Sequence, residues 1–132
     1  MSTSIHDFHD DPRNAGIKIW INGDLKPRAE SVVSVFASGF VLGDGVWEGL
    51  RVVAGQPVFL DPHLDRLFEG AKAIALDVGL SRSELKQAIF ETLKANAMLD
   101  DVHIRLMVTR GVKRTPYQDP RACIGNATVV MI

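Results

Sequence analysis

A strand that places different demands on its two faces governs what this chain can become. Gly43-Asp44-Gly45 makes a tight turn and feeds Val46-Trp47-Glu48-Gly49-Leu50-Arg51-Val52-Val53, whose β-branched and aromatic content marks an extended segment. Side chains two apart share a face of a strand. Trp47, Gly49, Arg51 and Val53 therefore point one way, and Val46, Glu48, Leu50 and Val52 the other. Neither face is cleanly apolar, and a buried Glu48 or Arg51 needs a partner, because an unpaired charge in a core is costly or neutralises. One reading pairs Glu48 or Arg51 with neighbours at the sheet surface. The functional reading makes the Trp47/Gly49 face a pocket wall, where the ring shapes the cavity and the glycine lets a ligand approach the backbone.

The rest of the chain supplies partners for this strand. Ile17-Lys18-Ile19-Trp20-Ile21 meets Asn22-Gly23, the commonest two-residue hairpin turn, and returns through Leu25. Val32 to Phe40 is apolar up to Gly39. Ala54-Gly55-Gln56-Pro57 is expected to turn the central strand back into Val58-Phe59-Leu60. Asp61-Pro62 reads as a helix start, with the carboxylate as cap and proline at the first helical position. Leu64, Leu67, Phe68, Ala71, Ile74 and Ala75 form an apolar stripe at spacings of three and four, and Gly79 is the expected stop. Ser81 and Glu84 make a capping-box pattern for a second helix that buries Leu85, Ile89 and Leu93. Val102 to Thr109 alternates as a strand, and Ala127 to Ile132 begins another. The order predicts an α+β fold, an antiparallel or mixed sheet with two helices packed on one side. The terminal Val129-Val130-Met131-Ile132 is expected to be a bare apolar strand, which suggests that more chain once covered it.

At 132 residues the chain holds one ordinary domain. Residues 1–16 read as a flexible leader and residues 17–132 as the folded unit. His6, His9, Asp10 and Asp11 are ligand types, but with no second cluster they read as a solvated tail and no metal is expected. A net charge of −1 gives no basic footprint for nucleic acid, and no apolar run approaches a membrane span. The start lacks the basic and apolar parts of a signal peptide, and the lone Cys123 excludes an internal disulfide, so a cytoplasmic place is expected.

Two further groups of cations carry chemistry. Arg66, in His63-Leu64-Asp65-Arg66-Leu67, sits one residue from the apolar stripe and reaches past the helix edge. Alone it reads as a surface ion-pair member beside Asp65 and Glu69, although a planar guanidinium also suits phosphate. His103 and Arg105 share a strand face in Val102-His103-Ile104-Arg105-Leu106, and Arg105 is open to the same reading as an ion pair at the sheet edge.

Taken together, Gly-Asp-Gly-x-aromatic-Glu-Gly-aliphatic-Arg followed by Asp-x-His-x-x-Arg-Leu resembles the opening half of the class IV (fold-type IV) pyridoxal-phosphate aminotransferases over Lys18 to Ile132. The resemblance implies that Arg66 grips the phosphate of pyridoxal 5'-phosphate. It implies that Trp47, Gly49, Arg51, His103 and Arg105 line the substrate pocket. Branched-chain aminotransferases carry Tyr-x-Arg where this chain has His103-Ile104-Arg105, while D-amino-acid transaminases place an arginine and a histidine where Thr115 and Tyr117 stand, so the branched-chain pattern fits better. Trp47 replaces the family's phenylalanine or tyrosine and should narrow the pocket.

The function implied is transamination between an amino acid and a 2-keto acid in a homodimeric parent. The cofactor-holding lysine falls beyond Ile132, so this chain alone is expected to be inactive. The alternatives are an aminodeoxychorismate-lyase-like or D-amino-acid transaminase activity on the same fold, or a noncatalytic binding half-domain.

Overall fold

Asn22 and Gly23 both take positive φ, 51° and 101°, as a two-residue hairpin turn requires. They fold β1 (Lys18–Ile21) onto β2 (Asp24–Pro27). The computed structural model describes residues 8–132, so Met1 to Asp7, including His6 of the group considered for metal, lie outside the described residues. A five-residue helix α1 (Ser38–Leu42) ends at left-handed Gly43 and leads into β3 (Gly45–Val53). β4 is only Gln56–Pro57, and α2 (Leu60–Ala73), α3 (Arg82–Asn96) and β5 (Val102–Thr109) follow. A small two-stranded ribbon pairs β6 (Val112–Lys113) with β7 (Cys123–Ile124), and β8 (Thr128–Met131) closes the order.

Six strands form one sheet in the order β2-β1-β8-β5-β3-β4, with every pair antiparallel. Leu50 and Val52 of β3, Ile104 and Leu106 of β5 and Met131 of β8 meet Leu64 and Leu67 of α2 and Leu85 and Ile89 of α3. This is the expected α+β layer with both long helices on one side. Each fully buried leucine contributes roughly 1.5–3 kcal/mol relative to exposure. Polar ties fix the helices. Asn96, near the end of α3, accepts from the Lys18 amide (2.7 Å) and donates to its carbonyl (2.9 Å). Arg82 and Lys86 of α3 pair with Asp65 and Asp61 of α2.

The capping box at Ser81 and Glu84 is present in both directions, Glu84 N–H to Ser81 Oγ at 3.2 Å and Ser81 N–H to Glu84 Oε2 at 2.7 Å. Ser81→Ala is expected to destabilise the chain by about 1 kcal/mol in urea unfolding, with an unchanged m-value.

Four expectations are corrected. Val58 to Leu60 is not a strand: the Val58 N–H still donates to the Arg51 carbonyl (2.8 Å), but Phe59 then turns left-handed at φ 54°. That turn, not an Asp61 cap, starts the helix, and Asp61 holds Lys86 instead. α2 ends before Gly79, because Ala75 takes φ 50° and Arg110 binds the carbonyls of Ile74 and Ala75 (2.7 and 2.8 Å). β8 is not a bare edge: it lies between β1 and β5 and buries Val129 and Met131.

In the stretch expected to be a leader, Pro12–Gly16 forms a 3-10 turn capped by Asp11. Arg13 donates from there to the carbonyls of Asp100 and Asp101 (2.9 and 3.1 Å). Among the described residues no helix is long and apolar enough to cross a membrane, and no group of three His, Cys, Asp or Glu is placed to hold a metal ion.

Candidate functional site

The strand register lays the candidate residues out as a grid on the sheet face away from α2 and α3. Trp47 pairs with Met107, Gly49 with Arg105, and Arg51 with His103. Beyond β5, Met107 pairs with Val130, and Val130 with Ile21 of β1. Backbone bonds join Arg105 to Ile132 in both directions, 2.8 and 3.0 Å. This face is therefore cationic over β3 and the start of β5, and apolar over β8 and β1.

Trp47, Gly49, Arg51, His103 and Arg105 all fall within the cationic part. The Arg105 guanidinium lies 3.9 Å from the centre of the Trp47 ring, a cation–π stack at a diagonal cross-strand position. Arg105 is not at the sheet edge, because β5 runs between β8 and β3. Among the described residues neither Arg105 nor Arg51 meets a carboxylate. The Gly49 side-chain space is taken by a neighbour: a Cβ there would lie 2.7 Å from Nε2 of His103. The missing Gly49 side chain thus leaves the room that the His103 imidazole occupies.

Arg66 is elsewhere. Glu48 points to the helical side of β3, where it is only 2% exposed. Arg66 binds it with two hydrogen bonds, Nε to Oε1 at 2.7 Å and Nη2 to Oε2 at 2.6 Å. His63, one helical turn earlier on α2, places Nδ1 2.7 Å from Oε2 and donates there while Glu48 is ionised. The Arg66 guanidinium, with help from His63, holds the Glu48 carboxyl below the usual glutamate range, against the opposing effect of burial. Arg66 itself remains 71% exposed. Its Nη1 is not used by Glu48, and the side chain as a whole is open to solvent. Arg66 and the Trp47–Arg105 group therefore lie on opposite sides of β3, and the fold does not bring them into one cavity within this chain.

The partner of Arg66 corrects a simpler expectation. Asp65 binds Arg82, and the carboxylate that takes Arg66 is Glu48, eighteen positions earlier. Glu48 and His63 were not singled out from the sequence as site residues. A signal existed: an acid on the otherwise apolar Val46/Leu50/Val52 face has to meet a cation, and His63 and Arg66 stand three apart on the helix that follows.

Arg110 is a third residue that the sequence pattern did not single out. It binds Asp44 through Nε to Oδ2 (2.7 Å) and Nη2 to Oδ1 (3.0 Å), as well as the end of α2. It thereby fixes the glycine turn that aims Trp47 to the C-terminal end of the helix that carries Arg66, where helix carbonyls favour a cation.

Known proteins resemble this chain in sequence and in fold. The amino-transferase class IV family model matches residues 45–130. The chain is 49% identical over 121 residues to the branched-chain-amino-acid aminotransferase-like protein 1 of Arabidopsis thaliana, covering 92% of this chain and 22% of that protein. Its fold is similar to that of the branched-chain aminotransferase of Thermoproteus uzoniensis solved with norvaline, with a TM-score of 0.73, 31% identity, and coverage of 88% of this chain and 39% of that one. It is also similar to the 4-amino-4-deoxychorismate lyase of Pseudomonas aeruginosa, with a TM-score of 0.67, 31% identity, and coverage of 86% and 38%. The chain thus spans well under half the length of the proteins it matches. A match over 45–130, taking in the Trp47 strand, the Arg66 helix and the Arg105 strand, places this chain in the amino-transferase class IV family.

Proposed function

We propose that this chain is the N-terminal α+β part of a pyridoxal 5'-phosphate-dependent aminotransferase that exchanges an amino group between a branched-chain-like amino acid and a 2-keto acid. The observation that carries this reading is the orientation of Arg66. A mostly exposed guanidinium is held by a buried carboxylate on two of its nitrogens and offers the third, which suits a phosphate oxygen. The cofactor, when bound, supplies the electron sink that amino-group transfer requires.

The chain's own residues then have separate tasks. Arg66 anchors the phosphate, and Glu48 and His63 keep Arg66 in place. Arg105 and Arg51 supply positive charge for a substrate carboxylate, His103 offers it a ring nitrogen, and the Trp47 ring stacks on Arg105 and narrows the space over Gly49. The cofactor-holding lysine comes from chain outside this sequence. Lys86 is engaged with Asp61, and buried Lys113 donates to the Asp119 carbonyl (3.0 Å). Lys18 and Lys26 belong to β1 and β2, Lys72 to α2 beyond Arg66, and Lys94 to α3. The whole protein acts as a cytoplasmic homodimer, for which the exposed Val32, Val35 and Phe36 offer an apolar contact.

The test uses the full-length protein with leucine and 2-oxoglutarate, assayed for glutamate, and with aminodeoxychorismate, assayed for pyruvate. Amino-group exchange is expected from the full-length protein, and only the blank rate from the 132-residue chain. Pyruvate release without exchange would assign the lyase reading that the Pseudomonas neighbour keeps open. Turnover by the isolated chain would overturn the division of labour.

A further inference from the structure

The loop between α3 and β5 is tied to two other parts of the chain just before β5 begins. Within it Ala97 and Asp101 take left-handed φ values of 49° and 52°, which a side-chain-bearing residue holds only where its surroundings fix it. One pair of ties comes from the turn after β3: the Ala54 N–H donates to the Asp100 carboxylate, and the Gly55 N–H to the Leu99 carbonyl at 2.7 Å. The other comes from Arg13, eighty-eight positions before Asp101. Its Nη1 and Nη2 donate to the carbonyls of Asp100 and Asp101, while Nε and Nη2 donate to the Asp11 carboxylate at 2.9 and 2.6 Å.

Val102 and His103 follow Asp101 directly, and the register sets His103 against Arg51. The His103 ring has little room to spare, because it fills the space left by the missing Gly49 side chain. Arg13, Asn14, Asp101 and His103 also line one cleft of about 240 Å³, so the Pro12–Gly16 turn forms a wall beside that ring. The core does not need this contact. No residue of the turn is buried, and the Arg13 side chain is 42% exposed. An exposed ion pair adds little to global stability. A planar guanidinium across two successive carbonyls, held from behind by a carboxylate, does fix one orientation of the loop.

We propose that Arg13 is a positioning residue: by clamping the Asp100 and Asp101 carbonyls it sets where β5 starts, and so where His103 stands beside Arg51. The segment that reads as a flexible leader in the sequence thereby acts on the open face without touching substrate. The effect on turnover rests on the aminotransferase reading, whereas the clamp itself does not.

The test compares the full-length wild type with Arg13→Ala and Arg13→Lys by hydrogen-exchange mass spectrometry, pyridoxal phosphate titration, and kinetics with leucine and 2-oxoglutarate. In Arg13→Ala, amide exchange is expected to rise ~10-fold over residues 53–56 and 97–103 and to stay at the wild-type rate in α2 and α3. KM for leucine should rise ~10-fold with kcat within ~2-fold, the pattern of a lost binding geometry. Affinity for pyridoxal phosphate should not change, because Arg66 is held by Glu48 on the other side of β3. Arg13→Lys keeps the charge but cannot span both carbonyls and Asp11 at once, so it should retain most of the KM rise. Full rescue by lysine would overturn the proposal. So would an exchange increase spread over the whole domain together with weaker cofactor binding, which marks a purely structural role. Unchanged exchange over 97–103 overturns it whatever the activity, and a local increase with unchanged KM in an active enzyme does so as well. A wild type without amino-group exchange would instead refute the aminotransferase reading, and the exchange pattern alone would then decide whether Arg13 holds the segment that carries His103.

Discussion

Gly111→Ala is expected to destabilise the chain by about 3 kcal/mol, the largest loss from a change of one methyl group. Gly111 sits at φ 99°, a conformation that side-chain-bearing residues rarely adopt. An added Cβ would also lie 2.3 Å from the carbonyl oxygen of Asn126, a backbone atom that cannot swing aside. Relief requires the Gly111 turn or the approach to β8 to shift. The Gly111 carbonyl accepts the Ser38 amide at 2.7 Å, so movement of the turn unseats the start of α1. Gly79→Ala separates the two causes, because Gly79 has a φ of 75° and nothing within 4 Å of an added Cβ. Strain alone should cost about 1 kcal/mol there. The difference between the two urea midpoints, at equal m-values, measures the clash. Equal losses would mean that the Asn126 carbonyl moves freely and that the contact carries no stability.

The elements that followed from the sequence were those whose signals are local. Asn22-Gly23 dictates a hairpin because both residues tolerate positive φ, and Ser81 with Glu84 forms a cap because both partners lie within one turn. Strand alternation in Gly45–Val53 and Val102–Thr109 correctly separated the residues that face α2 and α3 from those that do not.

What failed depended on distant chain. Ala75 ends α2 because Arg110, thirty-five positions later, takes its carbonyl, and no pattern around Gly79 contains that fact. β8 looked bare because its two neighbours, β1 and β5, come from both halves of the sequence. For the site, residue identity was legible and co-location was not. The grid that joins His103 to Arg51 and Met107 to Val130 follows only once the register is known. The same alternation that identified the Trp47 face also put Glu48, and therefore Arg66, on the opposite side.

That separation makes Arg66 testable apart from the open face. In the full-length protein Arg66→Ala is expected to raise the dissociation constant for pyridoxal phosphate roughly 10- to 100-fold, the worth of one or two hydrogen bonds to a charged group. Glu48→Gln should produce a smaller loss of the same kind without touching the phosphate. A glutamine has one acceptor and one donor where the guanidinium presents two donors, so Arg66 is no longer held on both Nε and Nη2. Because Arg66 is mostly exposed and screened by water, the stability cost of Glu48→Gln is put at about 1–2 kcal/mol, below that of a fully buried pair.

Its dependence on pH has a definite direction. The Glu48 pKa is depressed in the folded chain, so its stabilising effect is complete above the unfolded glutamate value and fades as pH falls through the lower folded value. Unfolding free energies of the wild type and Glu48→Gln should therefore differ most above about pH 5 and converge toward acid, from the glutamate range near 4.3 downward. If the two curves run parallel down to acid pH, Glu48 is not ionised against Arg66 in the folded state. Arg66 would then be an ordinary surface arginine, with nothing to orient it toward a phosphate.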